Sequence, residues 1–309
     1  MLTLPGKWIG DPWFYVDGDT VHCYFLTASD TNPPSTRHTN WEIGHAVSGD
    51  LSTWTDRGIV LRPGPRDWDG HHLATGSVLR FQGRFWMAYT GHPRGEDPTI
   101  QRVGLAVSDD LHAWEKFGDK PVTEVDERYY ERATSGQRPF MHWRDPALFR
   151  HGDHVYHVVC ARCRQGEAAG RGSVGVARTA DMAHWEVLPP FALEPFAEEL
   201  ECPSILTLNQ KWFLVFSTHR HLIAPSQREA GPEASLRSGT YSMVSDSPLG
   251  PYRFCGMIER TSAPVYAGQI VVWKGRPYLL GTRTDRRDTI SDPLPVTADA
   301  HGIVAATGD

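Results

Sequence analysis

Three acidic residues stand in short motifs of a kind that places a carboxylate at the start of a β-strand. Asp11 and Asp145 each precede a proline, and Glu201 precedes Cys-Pro. Hydrolysis of a glycosidic bond requires two carboxyl groups: one protonates the leaving oxygen, and the other attacks the anomeric carbon or activates water. These residue types therefore predict a glycosidase in which Asp11, Asp145 and Glu201 act together.

A third acid beside such a pair has a physical use. Nearby negative charge raises the pKa of a general acid and keeps that acid protonated near neutral pH. Arg144 directly precedes Asp145, and we expect its guanidinium to hold that aspartate ionised. The alternative interpretation is that these acids are turn caps, since Asp-Pro is a common start of a turn.

A repeated hairpin supplies the elements that position the acids. Each copy is a strand, a polar turn held by Ser/Asp chemistry, and a strand opened by an aromatic residue. The copies begin at Gly44, Gly104, Gly175 and Tyr241, and their closing aromatic residues are Trp54, Trp114, Trp185 and Tyr252. Long amphipathic helices are not evident, so the pattern indicates an all-β chain.

A second hairpin turn marks the first half of each unit and gives the period. The markers are Gly18, Gly83, Gly152, Asn209 and Gly275, at intervals of 65, 69, 57 and 66 residues. Such near-constant spacing is typical of radial arrays of sheets. The sequence therefore predicts a five-bladed β-propeller of four-stranded antiparallel blades, with residues 1–309 forming a single catalytic domain.

The repeat also predicts where the acids meet. Counting back seven residues from the markers leads to Asp11, Asp145 and the Glu201-Cys202 pair, and to Gly76 and Gly268 in the other two units. The first strand of each blade lines the central channel, so we expect the three acids to converge at one end of the axis. Crowded acids repel one another and gain nothing for folding, which favours a functional interpretation.

The composition excludes several classes of partner. The net charge is −6 and the basic residues are scattered, so no nucleic-acid partner is predicted. We expect a cytoplasmic protein with no membrane partner, because neither an apolar stretch of about 18 residues nor a secretory N-terminus is evident. The five cysteines are interpreted as free thiols. No metal and no cofactor is predicted, and the sequence leaves the oligomeric state open.

The order of the motifs resembles that of glycoside hydrolase family 32, the invertases and fructan hydrolases. The matching segments are Trp8-Ile9-Gly10-Asp11-Pro12, Trp143-Arg144-Asp145-Pro146 and Glu201-Cys202-Pro203. The resemblance implies that Asp11 is the nucleophile of a retaining mechanism and that Glu201 is the acid/base. It also implies that Asp145 stabilises the transition state and that the substrate is a β-fructofuranoside.

The chain departs from the family pattern where the family binds its sugar. Gly10 and Trp13 replace two asparagines, and a glutamine expected near Leu26 is missing. Losing such hydrogen bonds can cost a polar substrate on the order of several kcal/mol, so another furanoside stays open as substrate. The chain ends soon after the fifth unit, and we therefore expect no C-terminal β-sandwich of the family's kind.

Six residues are candidate substrate contacts: Arg144, Trp13, Thr75, Ser77, His72 and Tyr266. Trp13 follows the nucleophile motif and would either stack on a sugar or pack inside the blade. Thr75 and Ser77 flank the channel position of the second unit. His72 precedes that position by a few residues, and Tyr266 comes just before the fifth channel position.

Four other functions fit parts of the same pattern. An inverting enzyme resembling family 43, acting on arabinosides or xylosides, would use Asp11 as a general base. A fructosyltransferase would pass the covalent intermediate to a sugar instead of water. A sugar-binding propeller without catalysis would explain the altered sugar pocket, and a protein-interaction propeller would leave the axial acids unexplained.

Overall fold

The computed structural model describes residues 1–97, 99–132, 141–230, 236–259, 261, 263–286 and 288–306. Every strand in this part of the chain belongs to one of five four-stranded antiparallel sheets. Within each sheet the strands pair in the order in which they follow along the chain. The predicted five-bladed β-propeller is therefore confirmed.

Each blade is built from one continuous stretch of the chain. Blade one contains β1 (Lys7–Asp17), β2 (Thr20–Ser29), β3 (Glu42–Ser48) and β4 (Thr55–Leu61). Blade two contains β5 (His72–Phe81), β6 (Arg84–His92), β7 (Arg102–Ser108) and β8 (Glu115–Phe117). Blade three contains β9 (Arg144–His151), β10 (His154–Arg162), β11 (Gly172–Thr179) and β12 (Glu186–Leu188). Blade four contains β13 (Glu201–Leu208), β14 (Lys211–Thr218), β15 (Gly239–Ser245) and β16 (Arg253–Met257). Blade five contains β17 (Val265–Trp273), β18 (Arg276–Arg283), β19 (Leu294–Asp299) and β20 (Gly302–Ala305).

The described helical segments are short and lie in the connections. They are α1 (Pro225–Ala230) and the 3-10 turns Pro34–Thr39, Asp67–Asp69, Ala168–Gly170 and Arg220–Leu222. The blades themselves therefore position the axial residues.

Turn chemistry explains why the hairpins form where the sequence predicts them. The five markers that gave the period have positive φ values of 55, 83, 58, 47 and 76° in chain order, a conformation that glycine and asparagine adopt at low cost. In the second type of turn, Asp50 Oδ1 accepts the backbone N–H groups of Ser52 (2.8 Å) and Thr53 (2.7 Å). The same pattern recurs around Asp110 and Asp181.

The core is divided among the interfaces between neighbouring blades. Leu26 and Leu73 belong to the apolar cluster between blades one and two, and Phe149 and Phe216 to the cluster between blades three and four. Alternating strand residues face these interfaces, as the period of two requires. The packing fixes the angle between blades and so the position of every inner strand around the axis.

The ring closes between blade five and the beginning of the chain. Leu2 and Ile290 exchange two backbone hydrogen bonds of 3.0 Å each. The inner strands β1, β5, β9, β13 and β17 then contact one another in sequence around the axis, with β17 against β1.

Candidate active site

Each inner strand contains a β-bulge near its axial beginning. In β1, Asp11 and Pro12 together oppose one residue of β2, because Gly10 pairs with Leu26 and Trp13 pairs with Tyr24. The register shifts at corresponding places in the other four inner strands. Bulges are common next to active sites, where they reorient side chains.

The bulge gives the axial residues an unusual backbone. The first bulged residues have φ values of 46, 61, 48 and 50° in four blades: Asp11, Asp145, Cys202 and Ala267. Thr75 takes the corresponding place in blade two, between the paired residues Ala74 and Gly76. The residue that follows is proline in three of the blades. Proline has no N–H group to donate to a neighbouring strand, and it is therefore tolerated at a bulge.

Hydrogen bonds from the preceding blade hold these bulges. The backbone N–H of Asp11 donates to Thr282 Oγ1 of blade five at 2.8 Å. The backbone N–H of Asp145 donates to Thr90 Oγ1 of blade two, also at 2.8 Å. Each aspartate is therefore positioned by two neighbouring blades, and its orientation depends on how those blades pack.

Glu201 lies one residue before the bulge, which corrects its predicted equivalence with the two aspartates. Its counterparts in register are Arg144 and Tyr266, and Cys202 is the residue that corresponds to Asp11 and Asp145. Counting residues back from the turn predicts how far along the axis a residue lies. An error of one residue in that count, however, places the side chain on the other face of the strand.

Arg144, Glu201 and Tyr266 occupy the same register position in blades three, four and five, and hydrogen bonds join them. Arg144 Nη2 donates to Glu201 Oε1 at 2.5 Å. The hydroxyl of Tyr266 donates to Glu201 Oε2. Burial, and then the charge of Glu201, raise the pKa of Tyr266 well above its usual value, so the phenol keeps its proton for this bond. Both oxygens of the Glu201 carboxyl group are thereby oriented.

Asp145 joins the same network. Its Oδ2 accepts the backbone N–H of Cys202 at 3.0 Å and lies 3.5 Å from Arg144 Nε. Burial raises the pKa of Asp145 to about 6, while the Arg144 guanidinium opposes that rise and Glu201 adds to it. Arg144 therefore favours the ionised form, as expected, but burial has the larger effect on the pKa of Asp145.

The charges of all three predicted acids act on one residue, Cys202. Burial raises the pKa of the Cys202 thiol, and the carboxylates of Asp145, Asp11 and Glu201 raise it further. Asp145 and Glu201 are buried, whereas Asp11 is partly accessible. The structure thus brings the three acids together at one end of the axis, with Asp11 the most open to solvent.

Two residues of this network were not predicted from the sequence. Glu199 Oε2 accepts Arg144 Nη2 at 3.1 Å, and the imidazole of His142 bonds to Glu199 Oε1. Glu199 is 0% exposed and His142 is 2% exposed. The available signal was the spacing of Glu199 and Glu201, because residues two apart in extended chain share one side.

A cavity of about 120 Å³ lies beside Asp145 and is lined by residues of all five inner strands. Its lining includes Trp13, Thr75, Ser77 and Asp145. Ser77 Oγ also accepts the backbone N–H of Leu148 at 2.8 Å. Thr75 and Ser77 therefore line the same cavity as Asp145, as expected of residues beside the second channel position.

Trp13 and His72 are held mainly by packing. Trp13 is 2% exposed, stacks on Tyr24 with ring centroids 6.1 Å apart, and belongs to the cluster between blades one and two. Trp13 packs inside the blade and also lines the cavity, so its contact with a sugar stays a prediction. His72 stacks on His92 at 3.7 Å, and burial together with neighbouring imidazoles lowers its pKa to about 2. The imidazoles that lower the pKa of His72 are those of His92, His71 and His38.

The described residues contain no group of three or more His, Cys, Asp or Glu side chains placed to hold a metal ion. In the same part of the chain, no helix has the length and apolar character needed to cross a membrane.

The chain resembles known glycosidases in sequence. The family model described as "Glycosyl hydrolases family 32 N-terminal domain" matches residues 2–246. A sucrose-6-phosphate hydrolase of Escherichia coli is 28% identical over 228 residues, covering 70% of this chain and 42% of the relative. An insoluble β-fructofuranosidase isoenzyme of Oryza sativa subsp. japonica is 29% identical over 215 residues, 67% of this chain and 36% of the relative. The chain therefore spans less than half the length of these curated relatives.

Solved structures share the fold at low sequence identity. Inulosucrase from Halalkalicoccus jeotgali bound to kestose has a TM-score of 0.78 and 23% identity, covering 99% of this chain and 88% of that one. A GH32 β-fructofuranosidase of Bombyx mori has a TM-score of 0.74 and 17% identity, covering 99% of this chain and 64% of that one. A β-xylosidase, RS223, has a TM-score of 0.71 and 17% identity, covering 99% and 98%.

Proposed function

The chain belongs to glycoside hydrolase family 32, and on that premise we propose that it hydrolyses β-fructofuranosides with retention of the anomeric configuration. The observation that carries the proposal is the convergence of Asp11, Asp145 and Glu201 around Cys202 at one end of the axis. Residues 1–309 act in this proposal as one catalytic unit.

In the first step, a carboxylate oxygen of Asp11 attacks the anomeric carbon of the bound fructosyl unit. Glu201 gives its proton to the glycosidic oxygen, the carbon–oxygen bond breaks, and a covalent fructosyl ester remains on Asp11. The leaving alcohol departs from the side of Glu201. The partial exposure of Asp11 supports its assignment as the attacking group, because a nucleophile must meet the substrate.

In the second step, Glu201 takes a proton from water, whose oxygen attacks the anomeric carbon and releases Asp11. Arg144 and Tyr266 keep the Glu201 carboxyl group in one orientation through both steps. Asp145, buried beside the ring position, stabilises the positive charge that develops on the sugar. Thr75 and Ser77 line the cavity next to it and are proposed substrate contacts.

The proposed substrates carry fructose at the cleaved position, as the names of the relatives indicate. Sucrose, sucrose 6-phosphate and short fructans should be tested first, with an arabinofuranoside as the comparison for the family 43-like alternative. Asp11→Asn serves as the blank, and we expect it to reduce turnover by roughly 10,000-fold. Turnover equal to that of the blank on every fructoside would refute the proposal.

The stereochemical course separates retention from inversion. With methanol as a competing acceptor, a retaining enzyme forms methyl β-fructofuranoside, and NMR of the product identifies the anomer. Transfer to sugar is measured in the same way, as oligosaccharide formation at high sucrose concentration. Oligosaccharides as the main product would assign the chain to fructosyl transfer instead of hydrolysis.

We also propose a cytoplasmic location. The five cysteines are free in the structure, which suits a reducing compartment. Fractionation of native cells with detection by antibody tests this, and recovery in the extracellular fraction would contradict it.

A further inference from the structure

A stack of three aromatic rings leads outward from the proposed acid/base. Tyr266, whose hydroxyl donates to Glu201 Oε2, stacks on His219 with ring centroids 4.5 Å apart and an interplanar angle of 18°. His219 also stacks on His221, with centroids 5.5 Å apart and an angle of 20°. Glu201 is buried, whereas Tyr266 and His219 are partly accessible. His221 is exposed, so accessibility increases along the stack from the carboxyl group to the surface.

Both histidines lie at the end of blade four that contains Glu201. Ser217 of β14 pairs with Glu201, the first residue of β13, so β14 ends where β13 begins. His219 follows β14 directly and precedes the 3-10 turn Arg220–Leu222, which contains His221. The stack therefore lies on the same end of the propeller as the acids, and His219 is two residues beyond the strand partner of Glu201.

The turn that contains His221 is fixed by backbone hydrogen bonds. The N–H of Glu198 donates to the Leu222 carbonyl oxygen at 2.8 Å, and the N–H of Ala224 donates to the Phe196 carbonyl oxygen at 2.9 Å. Leu222 and Ala224 are buried. Glu198 and Phe196 lie in the segment that leads into β13, so the turn is attached to the same stretch of chain as the acid. A surface held in this way is organised before a ligand binds, which reduces the entropy cost of binding.

The proposed chemistry determines what this surface would meet. Glu201 protonates the glycosidic oxygen, so the sugar that leaves with this oxygen must lie against the Glu201 carboxyl group. Tyr266 contacts that carboxyl group, and His219 is the next ring in the stack. An imidazole edge carries nitrogen atoms that bind hydroxyl groups. The exposed ring of His221 offers a face on which the C–H groups of a sugar can pack.

Resting on the proposed function, we propose that His219 and His221 form the subsite for the saccharide that leaves, and that they determine specificity on this side of the cleaved bond. His219 hydrogen-bonds a hydroxyl group of the leaving sugar, and the face of His221 packs against it. The pair thereby favours a glycosyl leaving group over a small alcohol, which has neither a ring nor further hydroxyl groups.

The test compares sucrose, which releases glucose, with methyl β-fructofuranoside, which releases methanol. We expect His219→Ala to lower kcat/KM for sucrose roughly tenfold, mainly through KM, because a binding contact is lost. The loss on methyl β-fructofuranoside should be less than about twofold, because methanol does not reach the histidines. His221→Ala should show the same preference with a smaller loss on sucrose, roughly threefold.

A role of His219 through Tyr266 predicts the opposite order. If the imidazole served only to hold Tyr266 and thus Glu201, methyl β-fructofuranoside would lose at least as much as sucrose. Methoxide is a poorer leaving group than the anomeric alkoxide of glucose, and its release depends more strongly on the acid. Equal losses on the two substrates, or a larger loss on methyl β-fructofuranoside, would therefore overturn the inference.

His219→Phe covers the case in which His219→Ala does not fold. Its ring keeps the stack on Tyr266 but offers no nitrogen to a hydroxyl group. It should still lose more activity on sucrose than on methyl β-fructofuranoside, and a ratio of the two activities equal to that of the wild type would contradict the subsite.

His151→Ala is the matched control. His151 is also an exposed histidine beside an aromatic ring, that of Trp212 at 6.1 Å, but it ends β9 at the opposite end from Arg144. Both activities of this variant should equal those of the wild type. A wild type that hydrolyses both fructosides, with variants that do not discriminate between them, would refute the subsite alone. A wild type inactive on all fructosides would refute the proposed function itself.

Discussion

Asp145 Oδ2 accepts the backbone N–H of Cys202 at 3.0 Å and thereby joins the third blade to the fourth, one residue from Glu201. The same carboxylate is buried and lies 3.5 Å from Arg144 Nε. One side chain thus fixes the relative position of two blades and contributes charge where the proposed transition state needs it. The two contributions can be separated by substitution.

We expect Asp145→Asn to lose activity but gain stability. An amide oxygen can still accept the Cys202 N–H, whereas the charge that stabilises the sugar cation is lost, so kcat should fall roughly 100- to 1,000-fold. Burial raises the pKa of Asp145 from 3.8 to about 6, so the folded state binds its proton more readily than the unfolded state. Asp145 therefore costs stability as the pH rises from about 4 to about 6, and the cost persists at pH 7.

Urea unfolding at pH 7 and pH 4 checks this sign. The variant should exceed the wild type by up to about 3 kcal/mol at pH 7, and the difference should vanish near pH 4. Equal stability at pH 7, or a larger gain at pH 4, would contradict the electrostatic explanation.

Tyr266→Phe should reduce kcat/KM by roughly ten- to a hundredfold, because Glu201 Oε2 loses its hydrogen-bond donor. The ring remains, so its stacking on His219 at 4.5 Å should persist and the melting temperature should change little. Tyr252→Phe is the control. The buried hydroxyl of Tyr252 bonds to the Pro248 carbonyl oxygen in the connection between β15 and β16, away from the inner strands. Steady-state kinetics in which both variants lost activity equally would argue against a specific role for Tyr266.

Thr90→Val should damage the site through the backbone. The N–H of Asp145 loses its acceptor, Thr90 Oγ1 at 2.8 Å, and leaving a buried donor unpaired costs roughly 1–3 kcal/mol. Thr218→Val is matched to it, because the buried Thr218 hydroxyl has no hydrogen-bond partner among the described residues. Chemical unfolding should show a loss for Thr90→Val and no loss for Thr218→Val. Equal stability of the two variants would mean that the bulge does not need its threonine.

Gly76→Ala should prevent stable folding, whereas Gly10→Ala should be tolerated. A Cβ on Gly76 would lie 2.0 Å from the Ala88 carbonyl oxygen, which is backbone and cannot move aside. A Cβ on Gly10 would lie 3.7 Å from Thr282 Oγ1, an ordinary van der Waals distance. We expect a loss of more than about 3 kcal/mol for Gly76→Ala and less than about 1 kcal/mol for Gly10→Ala. A cooperative melt of Gly76→Ala near the wild-type temperature would contradict the expectation.

The fold could be predicted because each unit carries its own local signals. The turn residues Gly18 and Asp50 specify hairpins through φ preference and side-chain hydrogen bonds, and these depend on few neighbours. Their recurrence gave the number of blades and the level at which the acids lie. Such information is local, so a single sequence contains it.

The details of the site could not be predicted in this way. The bulge gives Glu201 the register position of Arg144 and Tyr266 instead of that of the aspartates. No turn residue indicates such a shift. The partnership of Glu199 with Arg144 depends on how closely two blades approach, and the buried packing of Trp13 depends on the same interface geometry. These features are properties of contacts between distant segments.

The recurrent bulge separates the shape of the site from its chemistry. Aspartate, threonine, cysteine and alanine all occupy the first bulged place, and the backbone has nearly the same form at Asp11, Asp145, Cys202 and Ala267. Exchanging a side chain there changes what is offered to a sugar without altering the path of the chain. Ala267, whose backbone matches that of Asp11 and Asp145, is accordingly a place where this scaffold can carry a different side chain on the same path of the chain.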